Sequence, residues 1–346
     1  MKALAVKYRP TTFDDVTEQS SIKIILQEQI NTHSIKNGYL FCGSAGTGKT
    51  TCARIFANEI NEGHGTPIEM DAASNNSVDD IRNVIAQAQT KSLDSEYKIF
   101  IIDEAHSLSN SAWQAMLKTL EEPPAKSIFI FCTTDPQKIP KTILSRVQRY
   151  DFQRISQKGI MRRLTHILHK EDIPEIEGGL EAVEYIAKLA DGGMRDAITL
   201  MDKCLSYSTE LTIENIVKAL GIANYDIMFS LLDGLIEHKA QFVLEQIDSI
   251  YSSGIDMKQF IKSFTEFVLD VCKYGLTKDF SMVRIPNIYD GELKQFGDYE
   301  FSVSAELLKM LIALNNEIKW ESNPKYPIEA RFFIFSTSEV DDDSAV

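Results

Sequence analysis

Cysteine is scarce in this 346-residue chain, and its five copies, Cys42, Cys52, Cys132, Cys204 and Cys272, form no CxxC pair and stand at no zinc-ligand spacing from histidine. That excludes a disulfide framework and gives no zinc site, so reduced and mostly buried thiols are expected. His166 and His169 lie three apart on a predicted helix but have no cysteine partner, and read as a surface pair. No stretch approaches the ~18 consecutive apolar residues of a membrane span. The opening MKALAVKYRP lacks the apolar core of a secretion signal. A cytoplasmic protein with no membrane partner is expected. An excess of basic charge is also missing: the net charge is −14, which argues against a chain-wide nucleic-acid surface. The distribution is uneven, however. Residues 1–155 carry 17 basic and 18 acidic side chains, 156–222 carry 8 and 11, and 223–346 carry 11 and 21. A near-neutral first segment leaves room for a local basic track, whereas the acidic last segment suits protein contacts or solubility.

With 44% hydrophobic and 25% charged residues, the chain has an ordinary globular composition and the length for two or three domains. Its first 155 residues alternate strand-length apolar runs with amphipathic helical stretches, the pattern of an α/β fold with a parallel sheet covered by helices. Strands are predicted at Tyr39–Cys42, Ile68–Asp71, Lys98–Asp103 and Ser127–Thr133, with a last one near Arg149–Phe152, and helices fill the gaps. From Ser156 strand signals vanish. Lys158–His169, Leu180–Leu189, Arg195–Tyr207 and Ile213–Leu220 read as a small helical domain over 156–222, with a break at Gly192-Gly193. An all-α domain over 223–338 follows, with helices predicted at Tyr225–Glu237, Ala240–Ser252, Met257–Tyr274, Ser304–Trp320 and Ile328–Ser336. Leu276–Tyr299 is weakly patterned and reads as a long loop, and 339–346 as a frayed acidic tail.

GSAGTGKT, Gly43 to Thr50, has the spacing of a phosphate-binding loop. Gly43, Ser44, Ala45, Gly46, Thr47 and Gly48 would turn backbone N–H groups onto phosphate oxygens, Lys49 would reach the terminal phosphates, and the Thr50 hydroxyl would ligate magnesium. Strand, loop and helix follow in the required order, with Thr51 opening the helix and placing the phosphates at its N-terminus. In KIFIIDEAH a buried strand runs into Asp103-Glu104, at the end of a strand where open α/β sheets bind ligands. Asp103 would hold magnesium and Glu104 would polarise the attacking water, which suits phosphoanhydride hydrolysis. Asp103-Glu104-Ala105-His106 also spells the DEAH box of RNA helicases, but no second nucleotide-type domain follows. His106 reads either as a local sensor or as a polar residue at a strand exit. Thr133-Thr134 ends another buried strand, either as a cap or as a ligand of phosphate or water. Arg146, in Leu144-Ser145-Arg146, lies too far along the domain to reach its own phosphates readily. It reads as a surface ion pair or as a finger for a neighbouring subunit's nucleotide.

Eight motifs then occur in one order: Lys7-Tyr8-Arg9-Pro10-x-x-Phe13-x-Asp15-Val16, GSAGTGKT, Asp71-Ala72-Ala73-Ser74, IIDEAH, LKTLEEPP, TTDPQKIP, LSR and GGMRDAITLMD. Together they resemble the gamma/tau subunits of bacterial DNA polymerase III, the clamp-loader ATPases of the AAA+ class. Lys319-Trp320 and Asn323-Pro324 resemble the end of that family's helical collar. The resemblance implies a RecA-like nucleotide domain, a helical lid and a collar that joins subunits. It implies ATP and Mg2+ as cofactors, with companion subunits in a ring-like hetero-oligomer, a sliding clamp and primer-template DNA as partners. By the same resemblance Lys49 and Thr50 bind phosphate and magnesium, and Asp103 and Glu104 are the acidic pair. Thr133 becomes sensor 1, Arg146 the finger acting in trans, and Arg195 sensor 2. Tyr8, Arg9, Pro10 and Val16 line the adenine pocket. Three departures stand out. The family's four-cysteine zinc module is replaced by NEGHGTP between Ile60 and Ile68, Val147 stands where the family has Cys, and Glu18 replaces a Gly in the N-terminal motif. A tau-type extension is also expected to be missing. Two rival readings are a branch-migration helicase, which would end in a winged-helix domain, and a non-hydrolysing assembly subunit, against which Glu104 counts.

Overall fold

The structure, a computed structural model, describes residues 2–174, 178–221, 225–296 and 301–338. The predicted tail over 339–346 lies outside the described residues. Two compact units emerge, one of Met1–Ile173 with Ala190–Asp202, the other of Pro174–Leu189 with Lys203–Val346.

The first unit is built on five strands: β1 (Gly38–Cys42), β2 (Ile68–Asp71), β3 (Lys98–Asp103), β4 (Ser127–Thr133) and β5 (Gln148–Asp151). Every pairing is parallel, in the order β2-β3-β4-β1-β5. Strand alternation sends successive side chains to opposite faces. Tyr39, Phe41, Ile99, Ile101, Ile128 and Ile130 pack on one side with Leu26, Ile55 and Phe56. Leu40, Phe100, Ile102, Phe129 and Phe131 pack on the other with Ile81, Trp113 and Met116. Both faces are therefore dry, which is why β1 and β4 read as unbroken apolar runs. Each such Phe or Ile contributes about 1.5–3 kcal/mol on burial. Because the strands are parallel, β1, β3 and β4 all end at one edge, and β4 sits between the other two. Thr133 is thereby paired with Cys42, next to the phosphate-loop motif, and is the residue after Phe131-Cys132 alongside the end of β3.

The helices of this unit start where side chains can cap them. Ser77 and Asp80 form a reciprocal capping box on Val78–Ala88, Ser109 caps Asn110–Glu121, and Ser156 caps Gln157–Lys170. By contrast Lys49–Ile60, the helix that follows the loop, has Gly48 at its N-cap and no side-chain cap, so its first N–H groups stay free for a ligand.

All regular elements described in the second unit are helical. Its longest helix, Met257–Thr277, starts at Asp256, whose carboxylate accepts from Lys258 N and Gln259 N, and buries Phe260, Phe264 and Phe267 on one stripe. Leu307, Leu311, Leu314 and Ile318 form a matching stripe at alternating spacings of four and three on Phe301–Ile318. The long loop expected over Leu276–Tyr299 is corrected here. Phe280–Met282 and Asn287–Tyr289 form 3-10 turns and Asp290–Phe296 is a helix, while 297–299 lie outside the described residues. Val283, Ile285, Leu293 and Phe296 are buried, so these short pieces are held by packing that periodicity over seven residues cannot reveal. Among the described residues no single helix is long and apolar enough to cross a membrane.

Candidate functional site

A cavity of about 350 Å³ opens beside the loop that follows β1, a volume suited to a small molecule. Most of the nucleotide-binding residues expected from the sequence line it. Tyr8, Arg9, Pro10 and Val16 come from the N-terminal segment, and Gly46, Thr47, Gly48, Lys49, Thr50 and Thr51 from the loop and helix start. Asp103 comes from the end of β3 and Arg195 from the helix Met194–Tyr207. Gly43, Ser44 and Ala45 are not lining residues, nor are Glu104, Thr133 or Arg146.

Lys49 is 7% exposed. Its Nζ donates to the carbonyls of Gly43 and Ser44, each at 2.8 Å. Burial pushes its amine below the ordinary lysine range, partly offset by the nearby carboxylates. The ammonium is thus held on the loop's own carbonyls, oxygen partners that phosphate oxygens can replace. Thr50 Oγ1 donates to Asp103 Oδ2 at 2.7 Å, joining two residues 53 positions apart. Gly46 is required where it stands. Its φ is +71°, a Cβ there would lie 2.9 Å from Gly193 Cα, and its carbonyl accepts from Met194 N at 3.0 Å. That contact brings the start of the Arg195 helix onto the loop.

The cavity also contains residues with no role expected from the sequence, among them Arg163 and Ile155, which lie outside every motif, and Met194 and Ile198, which flank Arg195 within GGMRDAITLMD. Arg163, on Gln157–Lys170, donates from Nη2 to the Tyr8 carbonyl at 2.9 Å and so ties the N-terminal segment to that helix. Lys7 and Tyr8 both donate to Glu171 and hold its carboxyl below the usual carboxylate range, Lys7 making the larger contribution. The basic pair Arg162-Arg163 was the available signal for Arg163. It is separated from Tyr8 by 155 residues, and only folding makes them neighbours.

Glu18 adopts φ +58°, in the left-handed region that glycine favours. Its carboxylate accepts from Ser156 N at 3.0 Å and from Ser156 Oγ, at the start of Gln157–Lys170. Gln19 beside it is buried, donates to Gln153 O at 2.7 Å and accepts from Gln153 N at 3.2 Å. The Glu18 side chain therefore forms a clasp at the cost of an unfavourable backbone angle. Glu18→Ala is expected to lower stability by about 1–2 kcal/mol, because it loses the hydrogen bonds and keeps the unfavourable φ. Glu18→Gly recovers about 1 kcal/mol of backbone cost and is expected to be less destabilised than Glu18→Ala in denaturant titrations.

Arg146 stands apart from the cavity. Its guanidinium donates to Glu121 at 2.5 Å, to the Thr142 carbonyl at 2.6 Å and to Ser145 Oγ at 3.1 Å. Cys42, Cys52, Cys132 and Cys204 are buried and Cys272 half-buried, and none is in a disulfide. Burial raises the Cys42 and Cys52 thiols to about 11 and about 12. His166 and His169 are exposed. No group of three or more His, Cys, Asp or Glu suited to a metal occurs among the described residues.

Residues 66–156 match the family described as DNA polymerase III, delta subunit, and residues 159–210 that described as DNA polymerase III clamp loader subunit, ATPase lid domain. Residues 211–311 match DNA polymerase III subunits gamma and tau domain III. The chain is 34% identical over 350 residues to DNA polymerase III subunit tau of Bacillus subtilis, covering 94% of this chain and 61% of that one. It is 30% identical over 352 residues to DNA polymerase III subunit gamma of Buchnera aphidicola from Acyrthosiphon pisum, covering 94% of this chain and 96% of that one. The chain thus spans 61% of the length of the B. subtilis relative and nearly all of the Buchnera one. Among solved structures, the Thermotoga maritima RuvB Holliday junction branch migration motor has a TM-score of 0.52 at 17% identity, covering 72% of this chain and 86% of that one. That likeness carries the fold alone. Near-complete coverage of a gamma subunit at 30% identity, together with the lid and domain III matches in chain order, settles the family: the chain belongs to the gamma/tau subunits of DNA polymerase III.

Proposed function

We propose that this chain is an ATP-hydrolysing subunit of a DNA polymerase sliding-clamp loader, working in the cytoplasm within a ring-like hetero-oligomer on primer-template DNA. The functional division follows the sequence: 1–155 as the nucleotide domain, 156–222 as the lid, 223–338 as the collar and 339–346 as a tail. The observation that carries the reading is the convergence of Lys49, the Thr50–Asp103 pair and Arg195 on one cavity. Apolar Val16, Ile155, Met194 and Ile198 suit an adenine, while Lys49, Arg195 and the uncapped helix suit a polyphosphate. The Thr50 hydroxyl and Asp103 carboxylate are the hard oxygen donors magnesium prefers, and would hold it. Bound there, magnesium would neutralise charge on the transferring phosphoryl group.

The chain's own residues do the rest. Lys49 leaves the Gly43 and Ser44 carbonyls for the terminal phosphates, and Arg195 reaches them from the lid. Glu104 takes the proton of the attacking water as it adds to the γ-phosphorus, while the bond from that phosphorus to the β–γ bridging oxygen breaks and ADP leaves with the electron pair. Arg146 serves the nucleotide of a neighbouring subunit. Seating ATP between subunits would favour one arrangement of the ring and hold the clamp open, and hydrolysis would release it. The test is reconstitution with companion subunits, clamp, primed template and ATP. Glu104→Gln is expected to bind ATP within about 3-fold of the parent, to lower turnover about 100-fold, and to stop release of a closed clamp on DNA. Turnover indifferent to clamp and primed DNA, or strand displacement without a clamp, rules the clamp-loading role out.

A further inference from the structure

His106 belongs to no function assigned so far, yet it stands between two residues that have one. After β3 the chain turns through Glu104 at φ +46° into a single 3-10 turn, Ala105–Ser107. This swings His106 Nδ1 to 3.3 Å from Glu104 Oε2 and 3.2 Å from Thr133 Oγ1. The His106 side chain is 19% exposed, so water competes weakly for it. Thr134 Oγ1 donates to the same Glu104 oxygen at 3.3 Å, and Asp135 N donates to Thr133 Oγ1 at 3.0 Å. A nitrogen lone pair facing a carboxylate oxygen at this range is repulsive, so the favoured neutral tautomer carries its proton on Nδ1. The Nδ1–H group then has two oxygen acceptors. Thr133, accepting from His106 and from the Asp135 amide, keeps its own proton to donate elsewhere.

We propose that His106 is a positioning residue for hydrolysis: its Nδ1–H steadies the Glu104 carboxylate and orients the Thr133 hydroxyl so that its proton faces the nucleotide. This rests on Glu104 acting as the base inferred above. The role differs from that of a mere polar residue at a strand exit, because it acts on the rate of the chemical step and not on binding. A base held in one orientation loses less in reaching the transition state.

In the assembled complex His106→Ala is expected to lower kcat about 30-fold while KM for ATP moves less than about 3-fold. His106→Asn, whose side-chain N–H stands close to the place of Nδ1–H, is expected to restore kcat to within about 5-fold of the parent. A second readout needs no turnover. In the free full-length chain carrying nitrogen-15 histidine at pH 8, the His106 ring is expected as the Nδ1–H tautomer, and Glu104→Ala to return it to the commoner Nε2–H form. Unchanged kcat in His106→Ala, an Asn variant as slow as Ala, or an Nε2–H ring in the parent overturns the proposal. Full turnover by Glu104→Gln overturns the function itself, since that variant removes the base and keeps His106.

Discussion

Lys49→Ala is expected to abolish nucleotide binding, raising Kd for a fluorescent ATP analogue by at least about 100-fold. A P-loop ammonium contacts phosphate through charge-assisted hydrogen bonds. Two charge-assisted hydrogen bonds to phosphate contribute about 1.5–3 kcal/mol each, which together amount to about 10²–10⁴-fold in affinity. The nucleotide-free protein should tolerate the change, because it loses a buried cation whose amine burial already disfavours along with its two bonds to the loop carbonyls. Its thermal midpoint is expected to stay within about 3 °C of the parent. Unaltered affinity in a folded Lys49→Ala protein would show that the phosphates bind elsewhere.

Arg146→Ala should behave in the opposite way. Its guanidinium is engaged by Glu121, Thr142 and Ser145 and does not line its own subunit's cavity, so the affinity of the isolated chain for ATP is expected to hold within about 2-fold. In the assembled complex, clamp- and DNA-stimulated turnover is expected to fall about 10³-fold, the scale on which an arginine supplied by a neighbour stabilises phosphoryl transfer. Equilibrium binding and single-turnover hydrolysis separate the two effects. Full stimulated turnover by the assembled Arg146→Ala complex removes Arg146 from that role. The Glu121 ion pair gives the arginine a resting partner, so reaching an adjoining nucleotide requires that bond to break.

The strands were legible because burial on two faces leaves a compositional trace in each segment. Ile128–Thr133 can hardly be anything but a central strand, and the structure pairs it on both sides. The phosphate-binding loop was legible for a related reason: its geometry depends on residues within eight positions of one another, so spacing alone records it. The short helix Asp290–Phe296 was not, since seven residues hold too little periodicity and its stability comes from the pocket that receives Leu293 and Phe296. Arg163 was not singled out either, because a basic pair such as Arg162-Arg163 on an amphipathic helix looks like any solvated one until its neighbour is known.

From its sequence alone this chain is committed to a parallel sheet, a nucleotide loop joined to an acidic strand end, and helices thereafter, since each of these is written in local pattern and short spacing. Tertiary structure alone decides the strand order, which slots β4 between β1 and β3 and delivers Thr133 beside both the loop and the acids. It alone turns Glu104 through a left-handed residue toward His106, and sets the Glu18 carboxylate on the N-terminus of a helix 138 residues away. Contacts between distant segments depend on how whole elements pack. Packing is a property of the folded chain that no window of sequence contains.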